Sequence, residues 1–122
     1  MLINAVVVKF SSALNKMVLK VENKSMFDAI IKDNQRVAVD FTASWCGPCQ
    51  YIGPKFEDFA DKFKSIKFIK VDVDENEETA SANEIRAMPT FKFFKDGKEF
   101  GKGFAGADEE ELENQLNALA SA

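Results

Sequence analysis

Val37-Ala38-Val39-Asp40-Phe41-Thr42-Ala43-Ser44-Trp45-Cys46-Gly47-Pro48-Cys49 is the stretch whose reading decides the fold. Its first part, Val37 to Thr42, is a short run rich in β-formers and broken by Asp40. It predicts a central strand buried on both faces. Its second part holds the only two cysteines of the chain. Thiols so spaced can close a small disulfide ring and open it again. Beyond the motif, Phe56, Phe59 and Phe63 fall at i, i+3 and i+7, with Lys55, Glu57, Asp58, Asp61 and Lys62 between them. That spacing predicts an amphipathic helix with one aromatic face. The cysteines therefore lie at a strand-to-helix junction, with Cys46 near the helix N-terminus.

Working outward, Ile66 to Val73 reads as the next strand, so residues 37–73 are long enough for a right-handed parallel crossover. Upstream, Met17 to Glu22 is an expected strand, and Phe27, Ile30 and Ile31 mark a helix with its cap expected at Ser25. Downstream, Glu77 to Asn83 is a short helix and Thr90 to Lys95 a strand. Asp96-Gly97 is a hairpin turn signal, and Lys98 to Gly103 is the expected return strand. Asp108-Glu-Glu-Glu111 resembles a capping box with an acidic first turn. Leu112, Leu116 and Leu119 then supply the apolar stripe of a closing helix. The expected class is α/β: a central mixed sheet of four to five strands flanked by about four helices.

Composition narrows the function. The chain has 122 residues, 46% of them hydrophobic with 12 Phe, which suffices for one domain with a substantial core. A net charge of −4 lacks the basic face of a nucleic-acid binder. No apolar run approaches the roughly 20 residues that span a membrane. There is no His, which removes the usual general base and the commonest nitrogen ligand. A structural zinc takes four Cys or His ligands. The chain offers two, so the only metal reading is a site shared between two chains, and the expectation is none.

Residues 17–122 resemble a thioredoxin of the eukaryotic type. The residues that carry the resemblance are Val39-Asp-Phe41, Trp45-Cys-Gly-Pro-Cys49, Pro54, Lys70-Val-Asp-Val-Asp74, Met88-Pro-Thr90, Phe94-Lys-Asp-Gly97 and Ala105-Gly106. Gln50 departs from the Lys or Arg usual there, and the segment from Gly97 to Gly106 is one residue longer than common. The resemblance implies the thioredoxin fold and a dithiol–disulfide oxidoreductase that reduces protein disulfides. It implies client proteins bearing disulfides and recharging by thioredoxin reductase, a flavoprotein using NADPH. The chain itself would hold no cofactor and act as a monomer, without nucleic-acid or membrane partners.

Site residues follow from position and resemblance together. Cys46 stands where unpaired backbone N–H groups and the helix dipole favour a thiolate, so it is the expected attacking sulfur; the alternative is a structural cysteine. Cys49, one turn on, faces inward and is the resolving thiol. Asp40 is a carboxylate in an apolar strand, which is expensive unless used or paired. Burial raises its pKa, and the resemblance assigns it the proton of Cys49, taken through water. Lys70 shares a strand face with Ile66 and Phe68 and is its expected neighbour; a structural ion pair is the rival reading. Pro48 stiffens the motif, and Pro54 removes a hydrogen bond inside the helix. In the family the Met88–Pro89 bond is cis and lies against the disulfide, which the sequence alone does not show. That would free the Met88 backbone to pair with an extended client. Trp45, Gly47, Pro48, Ala87, Met88, Ala105 and Gly106 would form a flat, uncharged docking surface, with core packing as the alternative for Trp45.

Two other roles fit the same motif: net oxidation or isomerisation of disulfides, and a non-catalytic adapter on the same fold. Gly-Pro between the cysteines favours a reductant by resemblance. Residues 1–16, Met-Leu-Ile-Asn-Ala-Val-Val-Val-Lys-Phe-Ser-Ser-Ala-Leu-Asn-Lys, fall outside the resemblance as an extension of unknown role. They carry two Lys and no Arg, and no acidic residue precedes Glu22. A plain extension and a cytoplasmic location are expected. A mitochondrial presequence is the alternative, and a secretory signal fits worse.

Overall fold

In the computed structural model, which describes residues 18–122, the chain runs β1 (Val18–Lys20), α1 (Lys24–Asp33), β2 (Arg36–Thr42), α2 (Gly47–Lys62), β3 (Lys67–Asp72), α3 (Glu77–Ala82), β4 (Thr90–Lys95), β5 (Lys98–Glu99), β6 (Phe104–Ala105) and α4 (Glu109–Ser121). The extension 1–16, and Met17 of the expected first strand, lie outside the described residues. The strand order is β1-β3-β2-β4-β5, with β6 also paired to β4. β2 pairs parallel with β3 and antiparallel with β4, so the sheet is mixed and β2 has a partner on each side. The β2–α2–β3 unit is the parallel crossover expected from residues 37–73.

Alternation along β2 divides the core. Val37, Val39 and Phe41 turn to one face, where Phe27 and Ile31 of α1 cover them with Ile69, Val71 and Phe94. Ala38 turns to the other, against Ile52, Phe56, Phe59 and Phe63 of α2 and Leu112, Leu116 and Leu119 of α4. The Phe56 ring lies 4.9 Å from that of Phe68 and 5.6 Å from that of Phe91, centre to centre, joining helix to sheet. Period two then places Asp40 on the α2 face as well.

Two expectations need correction. Among the described residues the sheet has six strands, not four to five, because the return strand from Lys98 is split. Phe94 pairs with Glu99 and Phe91 with Phe104, so four residues, 100–103, stand opposite two, 92–93. Gly101 at φ +70° and Gly103 at φ +67° carry the excess out of the ladder, and few other residues adopt that backbone without strain. The second correction is the start of α1. Its cap is Asn23, whose side chain accepts from the Met26 N–H at 2.8 Å, and Ser25 lies inside the helix. Asp108 caps α4 as expected, accepting from the Glu111 N–H at 3.0 Å.

A Cβ on Gly103 would stand 2.4 Å from the Phe91 carbonyl oxygen, whereas one on Gly97, at φ +84°, would meet nothing within 4 Å. Gly97→Ala is therefore expected to lose about 1 kcal/mol for backbone conformation alone, and Gly103→Ala roughly 2–3 kcal/mol with the clash added. Urea unfolding of both variants checks this through the transition midpoint at constant slope. Equal losses would show that the split strand relaxes freely around residue 103.

Candidate active site

The chain leaves β2 at Thr42 and enters α2 at Gly47. Cys46 is the N-cap of that helix, with extended backbone, and its Sγ accepts from the Cys49 N–H at 3.2 Å. A cap sulfur receiving a helix N–H sits where negative charge is favoured. Cys46 and Cys49 are joined as a disulfide. Both are nearly closed to solvent, Cys46 at 5% and Cys49 at 2%. Exposure therefore does not distinguish an attacking from a resolving sulfur in the oxidised protein; the cap position does. Met88 and Val73 pack against Ala43, Cys46 and Cys49, and the Met88 carbonyl oxygen lies 3.6 Å from the Cys46 Sγ.

Beneath the disulfide a cleft of about 330 Å³ is lined by Asp40, Cys49, Gln50, Gly53, Pro54, Glu57 and Lys70, among others. It joins the inner cysteine and the buried carboxylate in one space. Asp40 is 3% exposed, and its Oδ1 has no hydrogen-bond partner among the described residues. Burial pushes its pKa up to about 7, with the Lys70 ammonium pulling the other way. Lys70 stands directly opposite Asp40 in the β2–β3 register and is half-buried. The six ion pairs among the described residues do not include these two, so Lys70 acts on the carboxylate through space. A carboxyl group with such a pKa can hold or release a proton near neutrality.

The other expected site residues come together above the disulfide. The Met88–Pro89 bond is cis, and Pro89 is buried at the start of β4. The Gly106 N–H donates to the Pro89 carbonyl at 2.8 Å, and Ala105 pairs with Thr90, which brings Ala105 and Gly106 beside Ala87 and Met88. The Thr90 hydroxyl donates to the Ala87 carbonyl at 2.6 Å and fixes that turn. Gly47, Pro48, Ala87 and Ala105 are exposed, and Met88 and Gly106 are half-buried. Trp45 is 66% exposed, which excludes core packing for it. Its indole Nε1–H donates to Asp74 Oδ2 at 2.7 Å. Asp74 ends the Lys70–Asp74 motif, and only the fold places it beside the indole. Gln50 is a second such residue, lining the cleft with its amide 3.4 Å from the Ala43 carbonyl. Among the described residues no group of three or more His, Cys, Asp or Glu is disposed to hold a metal ion.

The model of the thioredoxin family matches residues 17–118. A thioredoxin of Geodia cydonium is 50% identical over 102 residues, covering 82% of this chain and 96% of that protein. A thioredoxin of Oryctolagus cuniculus is 44% identical over 105 residues, covering 84% and 99%. The solved structure of a Plasmodium falciparum thioredoxin superposes with a TM-score of 0.79 at 39% identity, over 82% of this chain and 97% of that one.

Asp40 makes a pH signature in stability. Its carboxyl titrates near the ordinary aspartate value of 3.8 when unfolded and at about 7 when folded. As pH rises from about 4 to 7 the unfolded chain releases this proton while the folded protein keeps it, so folding stability falls across that window and levels off above it. For the oxidised protein, Asp40→Asn is expected to gain stability over the parent by a few kcal/mol between pH 4 and 8, on the order of the folded–unfolded pKa difference. Denaturant unfolding at a series of pH values reads this directly. Parallel curves for parent and variant would contradict the raised pKa.

Proposed function

Because the chain belongs to the thioredoxin family and is a thiol–disulfide oxidoreductase, we propose that it works in the reducing direction, on protein disulfides. In the reduced protein the Cys46 thiolate attacks one sulfur of a client disulfide. A bond forms between Cys46 Sγ and that sulfur, the client S–S bond breaks, and the other client sulfur leaves as a thiolate that takes up a proton. Cys49 then loses its proton to Asp40, through water in the cleft, and attacks Cys46 Sγ. The Cys46–Cys49 disulfide forms and the first client sulfur departs. Two electrons pass to the client, which gains two protons.

The observation that carries this reading is a cap sulfur joined to an inner sulfur that shares one cleft with a buried carboxyl. The cap position favours Cys46 as the anion, and a pKa of about 7 suits Asp40 to accept a proton at neutral pH. Lys70 tunes that acceptor by its charge. Trp45, Gly47, Pro48, Ala87, Met88, Ala105 and Gly106 form the docking surface, with the cis Met88–Pro89 bond setting the Met88 backbone beside the disulfide. On it an extended client segment pairs with the Met88 backbone, a form of β-addition.

The cycle closes when thioredoxin reductase, a flavoprotein using NADPH, returns two electrons to the disulfide. The chain acts as a monomer with no cofactor of its own. A dithiol that serves as reductant suits a compartment kept reducing, and we place the protein in the cytoplasm. The mitochondrial alternative turns on residues 1–16, outside the described residues. Among the described residues no helix is long and apolar enough to cross a membrane.

The order of attack is tested by trapping. With insulin as the disulfide client, Cys49→Ser is expected to accumulate covalent adducts, because serine is too weak a nucleophile to complete the exchange. Excess dithiol should dissolve them. Cys46→Ser and the double variant should form none, and turnover in each should fall to background. Adducts on Cys46→Ser but not on Cys49→Ser would reverse the two roles.

A further inference from the structure

Two large apolar side chains are exposed among the described residues, Trp45 at 66% and Tyr51 at 58%, one just before Cys46 in the chain and the other two residues after Cys49. Trp45 immediately precedes Cys46. Tyr51 lies on α2, one turn beyond Gly47 and Pro48 and exposed as they are, while Cys49, Ile52 and Phe56 turn inward. Trp45 is bound by a carboxylate outside α2, and Tyr51 lies under an ammonium of its own helix that a carboxylate of α4 engages. Trp45 is tied to Asp74 in the connection from β3 to α3. The Lys55 ammonium lies 5.0 Å from the centre of the Tyr51 ring and 3.4 Å from Glu109 Oε1, at the first turn of α4. In sequence the disulfide is thus bracketed by two exposed aromatics, one tied to the β3–α3 connection and the other linked through Lys55 to α4.

A single exposed aromatic is ordinary. One beside a reactive disulfide, with its ring already restrained, offers contact area at a low ordering cost. Tyrosine and tryptophan are also over-represented among interface residues whose truncation costs most. The ammonium occupies one side of the Tyr51 ring, and Glu109 engages its charge. The free side of the ring is an apolar wall.

We propose that Tyr51 is a specificity-determining residue of the exchange reaction, selecting client segments that carry an aromatic or large aliphatic side chain next to the attacked cysteine. Such a side chain stacks on the free side of the ring while its cysteine lies over Cys46. A small polar neighbour gains nothing from the contact. The inference rests on the reductase reading above.

The test uses two disulfide-linked homodimers of one short peptide, with Phe or with Ser on both sides of the cysteine. The reduced protein converts each to two peptide thiols and becomes the disulfide, which a small dithiol reduces again at each cycle, the rate without protein being subtracted. The readout is the ratio of kcat/KM for the Phe peptide to that for the Ser peptide. Taken within each variant, it is insensitive to a fraction of unfolded protein. Tyr51→Ala is expected to lower the ratio about fivefold, mainly through KM, and Tyr51→Phe to keep it. Turnover of both peptides with the same ratio in the parent and Tyr51→Ala would overturn the inference alone. Turnover of neither peptide by the parent would refute the reductase reading and this inference with it.

Discussion

The pairing of β2 on both edges is the constraint from which the rest of the site is measured. β3 holds it from one side and β4 from the other, so every residue from Val37 to Phe41 is buried and its face is fixed. A slip of one residue would turn Asp40 away from α2 and bring valines into its place. The register therefore puts the carboxyl under the helix that carries both cysteines. It also sets where the chain leaves the sheet, and hence that Cys46, not a neighbour, becomes the cap of α2.

A buried carboxyl opposes folding when ionised, and the fold tolerates it by keeping it protonated up to about neutral pH. The aromatic packing of Phe56, Phe68 and Phe91 secures α2 to the sheet on the same face as Asp40. Rigid packing there matters for the chemistry, since the cleft must keep the inner sulfur and the carboxyl in one space. The upper half of the site is built differently. Hydrogen bonds between Gly106 and Pro89 and between Thr90 and Ala87 hold separate loops around the disulfide. Its exposed residues are small or aromatic, which suits contact with many client segments.

Local pattern made the core of this arrangement legible. The β-rich run at 37–42, the i, i+3, i+7 phenylalanines and the acidic start of α4 each follow from side-chain periodicity or capping chemistry, and each stands where expected. What the pattern missed depended on choices between equals or on tertiary contacts. Asn23 and Ser25 are both able caps, and the extended backbone at Asn23 decides between them. The return strand read as continuous because glycines are silent about which of them takes a positive φ. The tie between Trp45 and Asp74 joins residues far apart in sequence, so no spacing rule reaches it. Cys46 is nearly closed to solvent where Met88 and Val73 pack on the disulfide, and both are distant from it in sequence. Cys46, Asp40, Lys70 and Pro89 all fall within motifs shared with the thioredoxin family, to which the chain belongs.

In the proposed mechanism Asp40 takes the proton that frees Cys49 for the resolving attack. Single-turnover kinetics of a preformed mixed disulfide on Cys46 measures that step alone. In the parent, the resolution rate should rise with pH through an inflection near 7, the value to which burial pushes Asp40. In Asp40→Asn that inflection should vanish, and at pH 7 the rate should be lower by about 100-fold, the lower end of what a lost general base costs. An unchanged rate and pH profile in Asp40→Asn would contradict the account.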